Sequence, residues 1–159
     1  MTDVAPAGNP IRDARSGLFS EAFLQAVLPT RIATARRILK QLGLVVVEVG
    51  PNASGPFDRV KVANLVARTL RDSDTAVGLD NGCFALLLEF TPVEGCVIVA
   101  ERMQTILDRE FPDLSSWAGV ACYPAHAIDE TELLTAATNA LAEAKTADPA
   151  AVAVAPVAD

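Results

Sequence analysis

Residues Arg71–Phe90 read RDSDTAVGLDNGCFALLLEF. Two apolar runs, Thr75–Leu79 and Cys83–Leu88, flank the polar triplet Asp80-Asn81-Gly82. Asn-Gly between apolar runs predicts a β-hairpin, because a tight two-stranded turn needs positive φ at its tip. The fold is read outward from this hairpin, and the functional question is whether its polar tip performs chemistry.

Upstream, Phe19 to about Lys40 reads as a helix with Phe23, Val27, Ile32, Ala35 and Ile38 on one face; Pro29 is expected to kink or restart it. LGLVVVEV (42–49) is a continuous β-branched run, as in a strand covered on both faces. The loop GPNASGP leads to a second helix from Asp58 to about Leu70, with Val62, Val66 and Leu70 in register. Downstream, Thr91-Pro92-Val93-Glu94 predicts a helix start with Thr91 as N-cap, Pro92 at N1 and Glu94 at N3. Val93, Val97, Ala100 and Leu107 give that helix an apolar stripe. SSWAGVACY (115–123) reads as a strand. Asp129 opens a last helix whose Leu133, Ala137, Ala140, Leu141 and Ala144 face inward, and Val152–Ala155 can add an edge strand. The expected fold is α/β of the α+β kind, a five-stranded mixed sheet with flanking helices. Residues 1–12 read as a flexible lead, 13–155 as one domain and 156–159 as a tail.

Composition narrows the function. The 159 residues are 51% hydrophobic and carry a formal charge of −7. Residues 1–100 hold ten acidic and ten basic side chains, and residues 101–159 hold ten and three, so the acidic excess belongs to the C-terminal part. This argues against nucleic-acid binding, which needs a basic face, and against an anionic membrane surface. No apolar run reaches the ~18 residues of a membrane span. The N-terminus lacks the apolar core of a signal peptide, so a cytoplasmic location is expected. Cys83, Cys96 and Cys122, an odd number without CxxC spacing, read as reduced, small buried residues. His126 is the only histidine, which excludes any two-histidine metal motif.

Several fragments together resemble the GGDEF domain of diguanylate cyclases. DARSGLF (13–19) stands where that family has D-x-L-T-G-L, and LVVVEV stands at its metal-bearing strand. RDSD holds its R-x-x-D position, and FALLL (84–88) follows the signature tip. VIVAERMQTIL (97–107), WAGVACYP (117–124) and LLTAATNALAEAK (133–145) resemble its A-E-R helix, its S-I-G-V-A-x-Y-P strand and its closing helix. The resemblance covers Asp13 to about Val154 and implies a palm-like sheet related to nucleotide cyclases.

The resemblance also implies a damaged active site. The family uses Gly-Gly to wrap phosphates and the acids that follow to hold metal. Here the pentapeptide is Asp80-Asn81-Gly82-Cys83-Phe84, and only the phenylalanine, a core residue, is kept. Cys83 is a poor ligand for Mg²⁺. Glu48 can stand for the first-strand carboxylate or be an ordinary strand-end residue; its companion position is Gly50. The guanine-reading segment is reduced to GPNASGPFD, where Asn52 and Asp58 are the available substitutes. Lys145 is kept, while Pro149 replaces a phosphate-binding Arg. No enzyme activity, catalytic residue, metal or cofactor is expected.

What the resemblance preserves is the family's inhibitory site for cyclic di-GMP: Arg71 and Asp74 from R-x-x-D, and Arg102 from A-E-R. An arginine fork can grip phosphate or a guanine edge, and a carboxylate can accept guanine N–H groups. Arg71 and Asp74 can equally cap the junction between a helix and the next strand. The readings are a cyclic di-GMP receptor, with a ligand-favoured homodimer, or a nucleotide-independent signalling module that dimerises or docks. For the second, the stripe Arg31, Arg36, Arg37, Lys40 is the candidate contact or a solvated helix face.

Overall fold

The computed structural model describes residues 9–53, 55–147 and 151–157. The elements are β1 (Phe19–Ser20), α1 (Glu21–Arg37), β2 (Leu42–Pro51), α2 (Arg59–Arg68), β3 (Thr75–Gly78), β4 (Phe84–Glu89), α3 (Val93–Glu110), β5 (Leu114–Tyr123), α4 (Glu130–Thr146) and β6 (Val152–Val154). They build a mixed sheet in the order β1-β3-β4-β2-β5-β6. The expected hairpin is β3–β4, antiparallel with Thr75 opposite Leu87 and Gly78 opposite Phe84. The sheet has six strands where five were expected. The addition is Phe19–Ser20, which pairs parallel with Val77–Gly78 and is too short to show a period of two.

β2 lies at the centre, antiparallel to both β4 and β5. Val45, Val47 and Val49 point to one face, with Val62 and Val66 of α2 and Ala100 and Met103 of α3. Leu42, Leu44 and Val46 point to the other, with Leu24 and Ile32 of α1 and Leu133 and Ala137 of α4. A two-sided burial of this kind explains the unbroken apolar run. The helix α4 lies close on β5 because Gly119 has no side chain: a Cβ there would run into the backbone of Ala137 and Leu141.

Several boundaries and faces differ from expectation. α1 runs through Pro29 as one helix and buries Leu24, Leu28, Ile32 and Ala35; Phe23 and Val27 are half-buried, and Ile38 lies outside the helix. Pro29 and Gln25 are both exposed, so water can satisfy the carbonyl that proline leaves unpaired. α3 buries Cys96, Ala100, Met103, Gln104 and Leu107, with Val93 and Val97 only partly covered. Its N-cap is Pro92, without a side-chain cap bond; the Thr91 hydroxyl donates instead to the carbonyl of Glu89. Asp58 and Asp129 do cap α2 and α4, accepting from the N–H groups of Lys61 and Glu132. The expected lead at 1–12 falls largely outside the described residues, but the Ile11 carbonyl accepts from Ser20 N–H and Arg12 bridges to Phe19.

Candidate functional site

Two places matter: the tip of the β3–β4 hairpin and the turn between α2 and β3. The tip is closed by Leu79 N–H donating to Cys83 O at 2.8 Å and Gly82 N–H donating to Leu79 O at 3.0 Å. Gly82 has φ +93°, the conformation for which glycine is suited. The side chain of Asn81 folds back and accepts from Cys83 N–H at 2.9 Å, an Asx turn.

Other elements then strap the tip down. Glu21, in the first turn of α1, accepts the Asp80 N–H at 2.9 Å. Arg15 donates to the carbonyls of Leu79 and Asp80 at 2.9 and 3.0 Å. Arg59, at the start of α2, donates to Gly82 O at 2.6 Å and lies over the rings of Phe57 and Phe84. The N–H groups of Asp80, Gly82 and Cys83 are thus all occupied within the chain. An anion at the Asp80 amide would have to displace a carboxylate.

Glu48 and Cys83 do come together behind the tip. The Cys83 thiol points at Glu48 Oε1 at 3.8 Å, while Lys145 of α4 pairs with Glu48 Oε2 at 2.7 Å. Burial, and then the Glu48 carboxylate, push the Cys83 thiol up to about 11, so near neutral pH it is protonated. Among the described residues no group of three His, Cys, Asp or Glu side chains is placed to hold a metal ion. Asn52 donates to Pro112 O at 3.3 Å and contacts Ser115, and Asp58 is spent as the α2 cap. Both line a cleft of about 530 Å³ between the β2–α2 and α3–β5 loops, but as structural residues. Pro149 lies outside the described residues.

The Arg71–Asp74 turn is built differently. Asp74 has a side chain only 2% exposed, against 60% for Arg71. Asp74 Oδ2 accepts from the Arg71 backbone N–H and from Nε, each at 3.2 Å. Its Oδ1 accepts from Arg71 Nη2 at 3.2 Å and from Glu89 N–H at 3.3 Å. Four donors fill this carboxylate's capacity. Arg71 Nη2 also reaches Glu89 O at 3.1 Å and Thr91 Oγ1 at 2.7 Å. The Asp74 hydrogen bond and charge raise the Arg71 pKa above its ordinary value. Asp74 therefore caps the helix–strand junction and positions Arg71, tying the turn to the end of β4. Arg71 keeps Nη1 without a partner among the described residues. Arg102 comes to the same turn from α3, its Nη2 3.5 Å from Thr69 O. Arg71 and Asp74 line a cavity of about 180 Å³ with Arg12, Phe19 and Leu70; Arg102 does not reach it.

The basic stripe is not continuous. Arg31 pairs with Glu89 at 2.7 Å, and Arg36 donates to the Tyr123 hydroxyl and to Ile128 O. The straps from Arg15, Glu21 and Arg59 and the Thr91 contact with Arg71 were not read from the sequence. The one local signal is Glu21 immediately after Ser20, the N-cap of α1.

Neither a protein-family model nor a curated protein matches the sequence. Solved structures do. The GGDEF domain of TpbB (YfiN) from Pseudomonas aeruginosa is 22% identical with TM-score 0.80, over 91% of this chain and 94% of that one. An active GGEEF domain of a diguanylate cyclase from Vibrio cholerae is 18% identical with TM-score 0.76, over 89% and 99%. The GGDEF domain of DgcB from Caulobacter crescentus, in complex with c-di-GMP, is 13% identical with TM-score 0.77, over 92% and 96%. The chain has the fold of GGDEF domains. No helix among the described residues is long and apolar enough to cross a membrane.

Proposed function

We propose that this chain is a degenerate, non-catalytic GGDEF-like domain that binds cyclic di-GMP at the α2–β3 turn. The observation that carries the reading is the contrast between the two places. The Asp80, Gly82 and Cys83 amides of the hairpin tip are satisfied by Glu21, Leu79 and Asn81, and Glu48 behind it is paired with Lys145. Arg71, by comparison, is held by Asp74, Glu89 and Thr91 with one edge open. An arginine whose fork is already oriented loses less freedom on gripping phosphate or guanine. Arg102 supplies the second cation, and Asp74 acts mainly by positioning Arg71.

Isothermal titration calorimetry with cyclic di-GMP tests this. Binding is expected for cyclic di-GMP and not for GTP with Mg²⁺, and Arg71→Ala weakens it by about tenfold or more. No heat at high micromolar ligand would remove the receptor reading and leave a nucleotide-independent interaction module. In a separate assay, GTP with Mg²⁺ or Mn²⁺ is expected to yield no cyclic di-GMP. Turnover that vanishes in Glu48→Ala would overturn the non-catalytic part.

A further inference from the structure

Cys96, near the start of α3, and Cys122, near the end of β5, meet in the core on one face of the sheet. Both are free thiols, both are fully buried, and their sulfurs are 3.5 Å apart. Buried cysteines are ordinary core residues, and contact alone need mean no more than packing. This pair has two further properties, room for the sulfurs to close and a way in.

The room comes from Gly43. It pairs with Cys122 across β2 and β5, and a Cβ on Gly43 would run into the Cys96 sulfur. The sheet thus leaves a notch that seats the Cys96 thiol beside Cys122. A disulfide has an S–S bond of about 2.05 Å, and side-chain rotation with a small movement of α3 can close the rest of the 3.5 Å separation. Cys83 has Glu48 beside its sulfur instead of a second thiol. The way in is the first turn of α3. Its N-cap, Pro92, makes no side-chain cap bond, because the Thr91 hydroxyl donates to Glu89 O. Gly95, next to Cys96, is a weak helix former. An uncapped helix end that carries a glycine opens more readily than a helix middle, and its opening uncovers Cys96.

We propose that Cys96 and Cys122 are a redox-active dithiol, which a peroxide converts into a disulfide joining α3 to β5. One thiolate attacks a peroxide oxygen and breaks the O–O bond. It becomes a sulfenic acid, and the hydroxide that leaves takes up the proton the thiol gave. The second sulfur then attacks the first and expels water. Two thiols and one hydrogen peroxide thus give one disulfide and two waters. The bridge forms close to the α2–β3 turn: Cys96 Sγ lies 3.7 Å from Thr91 O, and the Thr91 hydroxyl holds Arg71 at 2.7 Å.

The test is peptide mass spectrometry. The native full chain is exposed to hydrogen peroxide, then unfolded, alkylated and digested without reductant. Before exposure all three cysteines should take the label. Afterwards Cys96 and Cys122 should lose theirs together and appear in one cross-linked peptide, lighter by two hydrogens than its two halves. Dithiothreitol should restore both labels, and Cys122→Ser should give no bridge. The proposal is overturned if both thiols survive, in the native chain, an exposure that oxidises the urea-unfolded chain. A bridge that includes Cys83 overturns it as well. So does an unbridged Cys96 oxidised to an acid that reductant does not restore.

Discussion

The carboxylate of Glu21 accepts the backbone N–H of Asp80 at 2.9 Å. The first turn of α1 thus places a negative charge on the hairpin tip, where the helix dipole already favours an anion. Gln25 steadies the other oxygen at 3.3 Å. Glu21→Ala removes an accepting charge from an exposed amide and is expected to cost about 1 kcal/mol in urea unfolding, below the usual range for charge-assisted bonds because water can replace the acceptor. Glu21→Gln keeps an acceptor and should cost less. Equal losses in the two variants would show that the bond to Asp80 contributes nothing.

Cys83 should react slowly. It is 5% exposed, its thiol lies against Glu48, and its ionisation is pushed up to about 11. Cys96 and Cys122 are fully buried, with their sulfurs 3.5 Å apart, so a reagent added to the native protein reports Cys83 first. The alkylation rate should climb with pH beyond the range in which an ordinary thiol has levelled off. Glu48→Gln removes the second of the two causes and should speed the reaction at a fixed pH, without reaching the rate of a free thiol, because burial remains. Fast native labelling with no dependence on Glu48 would contradict the placement.

Much of this was legible in the sequence because it is local. Asn81-Gly82 predicted the hairpin; Asp58 and Asp129 predicted their caps; the inward face of α4 agrees at all five positions. In α1 the expected face agrees at Ile32 and Ala35 and is one position off at Phe23 and Val27, where Leu24 and Leu28 are buried instead, because apolar residues lie on more than one side of the helix and Phe23 stacks on Phe19. The spacing of Thr91 to Glu94 fits a cap, yet its oxygen serves Arg71 and Glu89. The three cysteines look far apart along the chain, while the packing of α3 on the sheet brings Cys96 and Cys122 side by side. The two-residue β1 and the straps on the hairpin tip depend on tertiary pairing and leave no periodic trace. The R-x-x-D spacing was readable; that Asp74 would be saturated by four donors was not.

His126 makes stability depend on pH. Its Nδ1 accepts the Cys122 N–H at 2.9 Å, and burial lowers its pKa below the ordinary 6.5. The folded state therefore keeps it neutral where the unfolded chain takes up a proton. Below about 6.5 the unfolded state binds more protons, so stability falls as pH falls toward the depressed folded value. The urea midpoint should drop between pH 7.5 and 5.5, and His126→Gln should flatten that drop while lowering stability at both values. Since this is the chain's only histidine, its ring resonance can be followed alone by NMR. A titration midpoint at or above 6.5 in the folded protein would refute the account.

Thr91 separates a positioning role from a binding one. Its hydroxyl is buried, accepts Arg71 Nη2 at 2.7 Å and donates to Glu89 O at 2.8 Å. Thr91→Val keeps the shape and removes the acceptor nearest the guanidinium. Arg71 stays charged and keeps Asp74, but one of its fixed points is gone. Cyclic di-GMP affinity should fall by about threefold to tenfold, less than for Arg71→Ala, because the ligand's own contacts survive and only their pre-organisation suffers. Arg109→Ala is the control. It removes the same charge from the far end of α3, where Arg109 pairs with the adjacent Glu110, and should leave affinity nearly unchanged. If Arg109→Ala weakens binding as much as Arg71→Ala does, attraction is diffuse and added salt should abolish it. If Thr91→Val binds like the parent while Arg71→Ala does not, Arg71 acts without the support that Asp74, Glu89 and Thr91 provide, and the site is less pre-organised than its hydrogen bonds imply.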